Sequence, residues 1–306
     1  MSGHDHDHAS GAIGNRNRLA IAFAITATIL VVEVIGAVIT GSLALIVDAA
    51  HMLTDAGGLA VALLAANLMM RPATSQRTWG FARAEVLAAT AQAAVLFAVG
   101  LYVLVEAIQR LISPPEISSR GLLIFGIIGL VGNMISIMVL AGGRAANFNL
   151  RAAFLEVLND ALGSAAVIIA AIVIALTGWQ RADSIAAIVI GALILPRAAR
   201  LLRDTVNVLL ESTPAGLDLD AVRSHLLGVD HVREVHDLHA SQIASGLPVL
   251  SAHVIVDEDC FTDGHAPQIL DQLQSCVAEH FPVSVEHSTF QLEPGGHQRH
   301  EHVPHA

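Results

Sequence analysis

Two apolar stretches of the sequence each contain a pair of potential metal ligands spaced four residues apart. The pairs are His51 with Asp55 and Glu156 with Asp160. Residues four positions apart lie on one face of a helix, so each helix would present its two ligands together. An ionised group at the middle of a membrane costs about 2.5–3.5 kcal/mol, and a bound cation would offset that cost. The pattern therefore predicts a metal site inside a membrane and movement of the metal ion across it.

The composition indicates a membrane protein with an acidic C-terminal part. The 306 residues are 54% hydrophobic and only 14% charged, whereas about a quarter of the residues in a soluble protein are charged. The chain up to Glu211 contains 13 Arg and 13 Asp or Glu, while the chain from Ser212 onward contains 3 Arg and 14 Asp or Glu. An acidic tail argues against nucleic acid or anionic lipid as its partner and favours cations.

Six apolar stretches are long enough to cross a lipid bilayer, which predicts an α-helical six-span transmembrane domain. They cover residues 19–39, 43–70, 84–111, 121–140, 152–176 and 184–202. Pro196 and two arginines interrupt the second half of the sixth stretch and a third arginine follows it, so we expect that helix to leave the membrane there. With the N-terminus inside, ten arginines fall on the inner side and three on the outer side. The positive-inside rule therefore predicts that both termini are cytosolic.

The periodicity changes after Pro214, where a second domain is expected. The predicted elements are helices at residues 217–227 and 266–280 and strands at residues 231–243, 247–256 and 283–292. This order, αββαβ, is typical of a small α/β sandwich with its helices on one face of the sheet. Cys260 and Cys276 both lie in this part, and we expect them to be reduced if the domain is cytosolic.

Other polar residues within the spans bear on how the acidic pairs are interpreted. The alternative to a metal site is a buried salt bridge between helices, which needs a cation, and the apolar middle of these helices offers only His51. Asp48 and Asn159 flank the pairs, and we expect them to line the access path or support the ligands. Glu33 is a candidate for the metal or proton route, because an ionisable residue inside a membrane is expected to be functional.

Five segments carry a resemblance to a known family. The membrane part contains SLALIVDAAHMLTDAGGLA and NLRAAFLEVLNDALGS, and the tail contains VHDLH, SAHV and HSTFQLE. Over roughly residues 15–293, the chain resembles the cation diffusion facilitator family, and within it the bacterial cobalt–zinc–cadmium resistance branch. The resemblance implies a homodimeric, six-span metal/proton antiporter with a cytosolic ferredoxin-like α/β domain.

The same resemblance implies the domain organisation and the cellular location. The transport domain would cover residues 15–211 and the cytosolic metal-binding domain residues 213–293. His-rich flexible tails are expected at residues 1–14 and 294–306. The protein would be a multi-pass protein of the bacterial plasma (inner) membrane, in contact with the lipid bilayer.

By resemblance, the family's transport site corresponds to His51, Asp55, Glu156 and Asp160. Many zinc-transporting members have His at the position of Glu156, whereas members of the resistance branch often have Glu. One imidazole and three carboxylates still suit tetrahedral Zn²⁺ but make a harder site, so Co²⁺ and Cd²⁺ are also expected as cargo. Zn²⁺ is expected as the regulatory ion as well.

The resemblance also implies a regulatory metal site in the tail domain and a charge contact near the inner membrane face. The regulatory ligands would be His236, His253, His287 and Glu293, with His239 and His265 as further candidates. The alternative is that these histidines are solvated on a polar face of the sheet. The charge contact would join Arg83 to Glu211, holding the spans above the tail domain.

The expected function is proton-coupled efflux of divalent transition metal ions from the cytosol, which would confer heavy-metal resistance. An intramembrane metallohydrolase would need a His-Glu-x-x-His pair, which the sequence lacks, so we expect a transporter and no enzyme. A membrane-anchored metal sensor and a passive metal channel are the alternatives. A channel needs rings of pore ligands, however, and the sequence offers a single four-ligand cage.

Overall fold

The computed structural model describes the backbone of residues 5–141 and 148–297. Side chains are described from residue 20 onward within these ranges, except at Asp55, at most positions in 58–66 and at 148–152. The chain divides into two compact units. The first contains the chain up to residue 60 together with residues 91–200, and the second contains residues 61–90 and the chain from residue 201 onward.

The first six elements are long helices, as predicted. They are α1 (Asp5–Thr40), α2 (Leu43–Met69), α3 (Ala84–Ile112), α4 (Ser119–Ala141), α5 (Phe148–Thr177) and α6 (Arg181–Leu209). Helix α1 begins at Asp5, inside the predicted flexible tail, because no proline interrupts the chain before Leu19. Helix α6 continues past Pro196, since a proline inside a membrane helix is tolerated when neighbouring groups satisfy the backbone. Residues 1–4 and 298–306 of the two predicted tails lie outside the described residues.

The long helices are built to face lipid. Among the described residues, five helices are long and apolar enough to span a membrane, and α2 contributes the shorter apolar stretch Leu43–Thr54. Only 22–44% of the most apolar window of each of the five helices is buried within the chain. The remaining apolar surface would be unfavourable in water, so these helices require a bilayer around them.

Helix α4 packs against both α1 and α5 through small residues. A Cβ atom at Gly126 would lie 3.0 Å from Ile168 of α5, and one at Gly132 would lie 2.6 Å from Ile29 of α1. Such glycines let membrane helices approach closely. Glu33 of α1 and Asp160 of α5 lie on these closely packed helices.

The α1–α2 turn is held by an acidic residue from α6. Gly41 has a φ of 67°, which favours glycine, and its carbonyl oxygen accepts a hydrogen bond of 2.7 Å from Arg110. The buried carboxylate of Asp183 accepts hydrogen bonds from the backbone N–H of Leu43 at 2.8 Å and from the hydroxyl of Ser42. Asp183 therefore caps the N-terminus of α2 and fixes where this helix begins.

The tail domain has the predicted αββαβ order. Its elements are α7 (Leu219–Leu226), β1 (Val232–Ala244), β2 (Leu247–Val256), a short turn of helix α8 (Cys260–Asp263), α9 (His265–Glu279) and β3 (His287–Glu293). The sheet order is β1-β2-β3, with β1 antiparallel and β3 parallel to β2. Strand β3 begins four residues later than predicted because the N–H of Val285 bonds to the carbonyl of Val277 in α9 and not to the sheet.

Apolar residues of α7 and α9 form the core of the tail domain with one face of the sheet. Val222 and Leu226 come from α7, and Ile269, Leu273 and Val277 come from α9 at spacings of three or four residues. Asp218 caps α7 by accepting hydrogen bonds from two N–H groups of its first turn. The two cysteines are free and buried.

Candidate metal centres

The first candidate site lies between α2 and α5. His51 and Asp160 are both buried, with 5% and 4% of their surface exposed. Nε2 of His51 lies 3.9 Å from Oδ1 of Asp160. Two ligands of one tetrahedral zinc ion are about 3.3 Å apart, because Zn–N and Zn–O bonds measure about 2.0–2.2 Å. A small side-chain adjustment would therefore place both atoms around one metal ion.

Helical spacing explains why these two side chains point inward. His51 follows Val47 by four residues, and Asp160 follows Val157 by three, and both valines are buried. The helix face that buries each valine therefore also directs His51 or Asp160 into the interior. Asp55 lies one turn after His51 on α2, but its side chain is outside the described part of the structure, so its role stays a prediction.

Glu156 lies one turn before Asp160 on α5 and faces an arginine of α6. Nη2 of Arg197 is 4.0 Å from Oε1 of Glu156, with 56% and 38% of the two side chains exposed. This partner comes from a third helix, so the sequence patterns of α2 and α5 do not reveal it. Glu156 therefore has an ion-pair partner that a metal ion would have to displace.

A second set of buried acidic side chains lies beside the His51–Asp160 pair. Glu33 and Asp48 are only 1% and 2% exposed, and Glu33 interacts electrostatically with both Asp48 and Asp160. Glycines make room for them, since a Cβ at Gly129 would lie 2.7 Å from Oε1 of Glu33 and one at Gly163 would lie 2.7 Å from Oδ1 of Asp48. The acidic region of the interior is thus larger than the predicted four residues.

Uncharged polar groups continue this region along α4 and α5. Nδ2 of Asn133 donates a hydrogen bond of 3.3 Å to Oγ of Ser164, and both residues are almost completely buried. Among the described residues, neither carboxylate oxygen of Glu33 has a hydrogen-bond partner. A buried carboxylate in that state is a suitable place for a proton or a nearby cation.

In the tail domain, the structure brings together three of the predicted ligands. His236 and His253 are directly opposite each other on β1 and β2, with ring centroids 5.1 Å apart. Glu293, only 1% exposed, places its two oxygens 3.0 Å from Nδ1 of His253 and 3.5 Å from Nε2 of His236. The ligand atoms of Asp237, His236 and His253 also lie within 4.8 Å of one another. This set suits a divalent transition metal ion.

Sequence reasoning did not single out Asp237. A register shift between His236 and His239 marks an irregularity in β1, and Asp237 has a φ of 45° within it. Such bulges turn a side chain that alternation would place on the opposite face. A simple period of two therefore predicts the wrong side for Asp237.

The remaining predicted ligands of the tail domain lie elsewhere. His287, at the other end of β3 from Glu293 and about 20 Å away along the strand, packs edge-on against Trp79 with centroids 5.2 Å apart. His265 stacks on His231 and pairs with Asp263 at 2.8 Å. His239 is exposed and pairs with Ser251 across the strands. Within this one chain, these three histidines are not part of the His236–His253–Glu293 cluster.

The predicted charge contact near the spans is present in the second unit. Nη2 of Arg83 donates a hydrogen bond of 2.6 Å to Oε1 of Glu211. The side chains are 38% and 59% exposed, so the stabilisation is modest, about 0–1 kcal/mol for a pair of this kind. The contact joins the start of α3 to the segment just after α6.

The chain matches known proteins along nearly its whole length. Residues 19–210 match the cation efflux transmembrane domain, and residues 214–295 match the cytoplasmic domain of cation efflux proteins. The chain belongs to the cation efflux, or cation diffusion facilitator, family. It is therefore a multi-pass membrane protein of metal cation efflux.

Named relatives place it in one branch of this family. The chain is 44% identical to the metal cation efflux system protein CzcD of Cupriavidus metallidurans, over 95% of this chain and 90% of that protein. It is 39% identical to the zinc transporter ZitB of Escherichia coli, over 95% and 92% of the two chains. It is 38% identical to the cadmium, cobalt and zinc/H(+)-K(+) antiporter of Bacillus subtilis, over 95% and 93%. The protein is thus a CzcD-like member of the family.

Proposed function

We propose that the protein exports divalent transition metal ions from the cytosol in exchange for protons, through one site formed by His51, Asp55, Glu156 and Asp160. The observation that carries this proposal is the buried approach of His51 on α2 to Asp160 on α5, at 3.9 Å. A transport site must be formed by more than one helix, because a cage that can open to either side needs parts that move relative to each other. Here the two pairs of ligands come from different helices.

The ligand set favours Zn²⁺ as cargo, with Co²⁺ and Cd²⁺ as further substrates. One imidazole and three carboxylates match the nitrogen and oxygen ligands of tetrahedral zinc. Two of the three relatives described above are named for their metals, one for zinc and the other for cadmium, cobalt and zinc. A site with this donor set is less selective for Zn²⁺ than one with two imidazoles, because carboxylates are harder ligands.

Exchange for protons follows from the charge of the empty site. With His51 neutral, the three carboxylates carry three negative charges, and Glu33 and Asp48 add further acidic groups close by. Like charges a few ångströms apart repel strongly where water is scarce, so the empty site holds protons. Metal arrival displaces them, because ligands must be deprotonated to bind. A more acidic exterior then releases the metal there.

The same proposal gives the arrangement in the cell. The bias of ten arginines to one side supports a protein of the bacterial plasma membrane with both termini in the cytosol. The tail domain matches the cytoplasmic domain of cation efflux proteins, which supports a cytosolic location for it. The proposed assembly is a homodimer. The efflux activity would then confer resistance to the exported metals.

We also propose that Zn²⁺ bound by His236, His253 and Glu293 regulates transport. The acidic tail domain repels a second copy of itself, and bound metal reduces that repulsion. In an Asp160→Ala background, His253→Ala should lower the amount of zinc bound per chain by about one ion. His265→Ala, which changes a histidine outside this cluster, should leave it unchanged. Equal zinc binding by the first variant and its parent would refute the regulatory site.

Metal uptake into sealed vesicles, with and without a pH gradient, tests the main proposal. We expect the purified protein to fill the vesicles with Zn²⁺ only when the vesicle interior is more acidic, and Asp160→Ala to abolish uptake with folding intact. Glu106→Gln is the matched control, since Glu106 pairs with Arg110 at 2.9 Å on α3 and not with the site. Uptake without any proton movement would indicate a passive channel, and absence of uptake would indicate a sensor.

A further inference from the structure

Three metal-binding side chains outside both sites described above meet in the tail domain. His225 lies near the end of α7, and Cys276 and His280 lie at the end of α9. One ligand atom from each lies within 4.8 Å of the others, and Nε2 of His225 is 2.9 Å from Nδ1 of His280. The cluster has the shape of a metal site with one sulfur and two nitrogen ligands.

The local structure explains the convergence. Cys276 and His280 are four residues apart, and the N–H of His280 bonds to the carbonyl of Cys276 at 3.1 Å, so both face the same side of α9. Helix α7 packs beside α9 and ends at Leu226, which presents His225 to the same place. The ends of both helices carry partial negative charge, which favours a cation there.

The geometry is close to that of a bound ion. Around one tetrahedral zinc ion, two nitrogen ligands lie about 3.3 Å apart, and a nitrogen and a sulfur about 3.5 Å apart, given bonds of about 2.1 and 2.3 Å. The three ligand atoms all lie within 4.8 Å of one another, so side-chain rotations that move a ligand atom by about 1 Å would bring them to these distances. Phe281 packs against the ring of His225, with centroids 5.6 Å apart, and restricts its orientation.

The surroundings provide access and a fourth ligand position. A surface groove of about 540 Å³ borders the cluster and is lined by polar residues that include Ser224, Asp271 and Ser275. Water can fill the fourth position of a tetrahedral ion from this side, as it does in zinc sites with three protein ligands. Asp271 supplies negative charge to the groove.

We propose that His225, Cys276 and His280 form a second metal site of the tail domain, which binds a divalent ion of borderline softness such as Zn²⁺, Co²⁺ or Cd²⁺. The thiolate makes this site softer than the His236–His253–Glu293 cluster, which has no sulfur ligand. The two sites would therefore differ in metal preference. This inference does not depend on the mechanism of transport.

Cobalt absorption of the full-length, detergent-purified protein tests it. A Cys thiolate bound to Co²⁺ gives a sulfur-to-metal charge-transfer band, which ligands containing only nitrogen or oxygen do not give. The chain has only two cysteines, so the band can arise from Cys260 or Cys276 alone. Under reducing conditions we expect the band in the unchanged protein and in Asp160→Ala, with loss in Cys276→Ala and Cys276→Ser.

The matched control is Cys260→Ser, which should keep the band. Because Cys276 is buried, far-ultraviolet circular dichroism is used to check that its variants are folded. His225 is exposed, so His225→Ala tests the same site without disturbing the core. His225→Ala should weaken Co²⁺ binding at this site by at least about tenfold, since changes even behind the ligands cost 10–100-fold. Absence of the band in the unchanged protein, its persistence in Cys276→Ala, or its loss in Cys260→Ser would overturn the proposal.

Discussion

Arg197 is expected to weaken metal binding at the proposed transport site, so its removal should tighten that binding. Its guanidinium is 4.0 Å from Glu156, and its charge also acts on His51. A metal ion that takes Glu156 as a ligand must release this ion pair. Substitution by glutamine removes the charge and keeps much of the side-chain volume.

The size of the effect follows from the exposure of the pair. Opposite charges about 4 Å apart attract by about 4 kcal/mol at an effective dielectric constant near 20. Arg197 and Glu156 are 56% and 38% exposed, so screening reduces this to the range of about 0.2–1 kcal/mol found for exposed pairs. Because 1.4 kcal/mol corresponds to a tenfold change in a binding constant, Arg197→Gln should tighten binding by about 1.4- to 5-fold.

The measurement is the half-saturating Zn²⁺ concentration for uptake into vesicles, in a His253→Ala background that removes the proposed regulatory site of the tail domain. Arg200→Gln is the control, because it removes the same charge from the same helix, while Nε of Arg200 donates to the backbone oxygen of Pro196 at 3.2 Å. In a Glu156→Gln background, the effect of Arg197→Gln should disappear. An unchanged or higher half-saturating concentration, or an equal shift with Arg200→Gln, would refute the reasoning.

Three further predictions concern stability and the tails. Asp183→Ala should destabilise the first unit by about 2 kcal/mol or more, because a hydrogen bond to a charged group contributes about 1.5–3 kcal/mol. Thermal unfolding in detergent measures this loss, with Asp204→Ala as the control variant. The two hydrogen bonds from Arg233 lower the pKa of Asp257. The ion pair therefore stabilises the folded tail domain at pH values above the usual Asp pKa, and this stabilisation is lost as the pH falls through the lowered pKa. Asp257→Asn should thus lower the unfolding temperature at neutral pH and match the unchanged protein in strong acid. Deleting residues 297–306 should leave maximal transport within about twofold, as expected for a His-rich tail that supplies none of the proposed transport ligands.

Helical periodicity alone predicts the inward orientation of candidate ligands that lie on one helix. His51 and Asp160 each share a face with buried valines, so a spacing of three or four residues already places them inward. Arg197 was missed because its contact with Glu156 depends on how α6 packs beside α5, which no local pattern records. Glu33 was recognised as a candidate, but its proximity to Asp48 and Asp160 depends on close packing at glycines of two other helices.

The tail domain shows the same limit for strands. Alternation identified the strands, and the family resemblance pointed to His236 and His253, which the register of β1 and β2 places opposite each other. Alternation also put His287 and Glu293 on one face, but six residues along β3 separate them by about 20 Å, so one site in a single chain cannot include both. Register and distance along a strand, not face alone, decide which ligands meet.

Glu156 is the transport-site candidate at which the family resemblance implies a difference from many zinc-transporting members. Replacing it by histidine removes one of three carboxylates from the proposed cage and separates the ligand from its ion pair with Arg197. The empty site then carries less negative charge and holds fewer protons, so each Zn²⁺ that binds should release fewer of them. Two imidazoles also favour Zn²⁺ over Co²⁺ more strongly than one does. Proton release on metal addition to weakly buffered protein, over a range of pH, measures the first effect, and competition between the two metals measures the second. Glu106→Gln, which removes a carboxylate paired with Arg110 away from the cage, should change neither. Equal proton counts and equal metal preference in Glu156→His and the unchanged protein at every pH would show that Glu156 sets neither coupling nor selectivity.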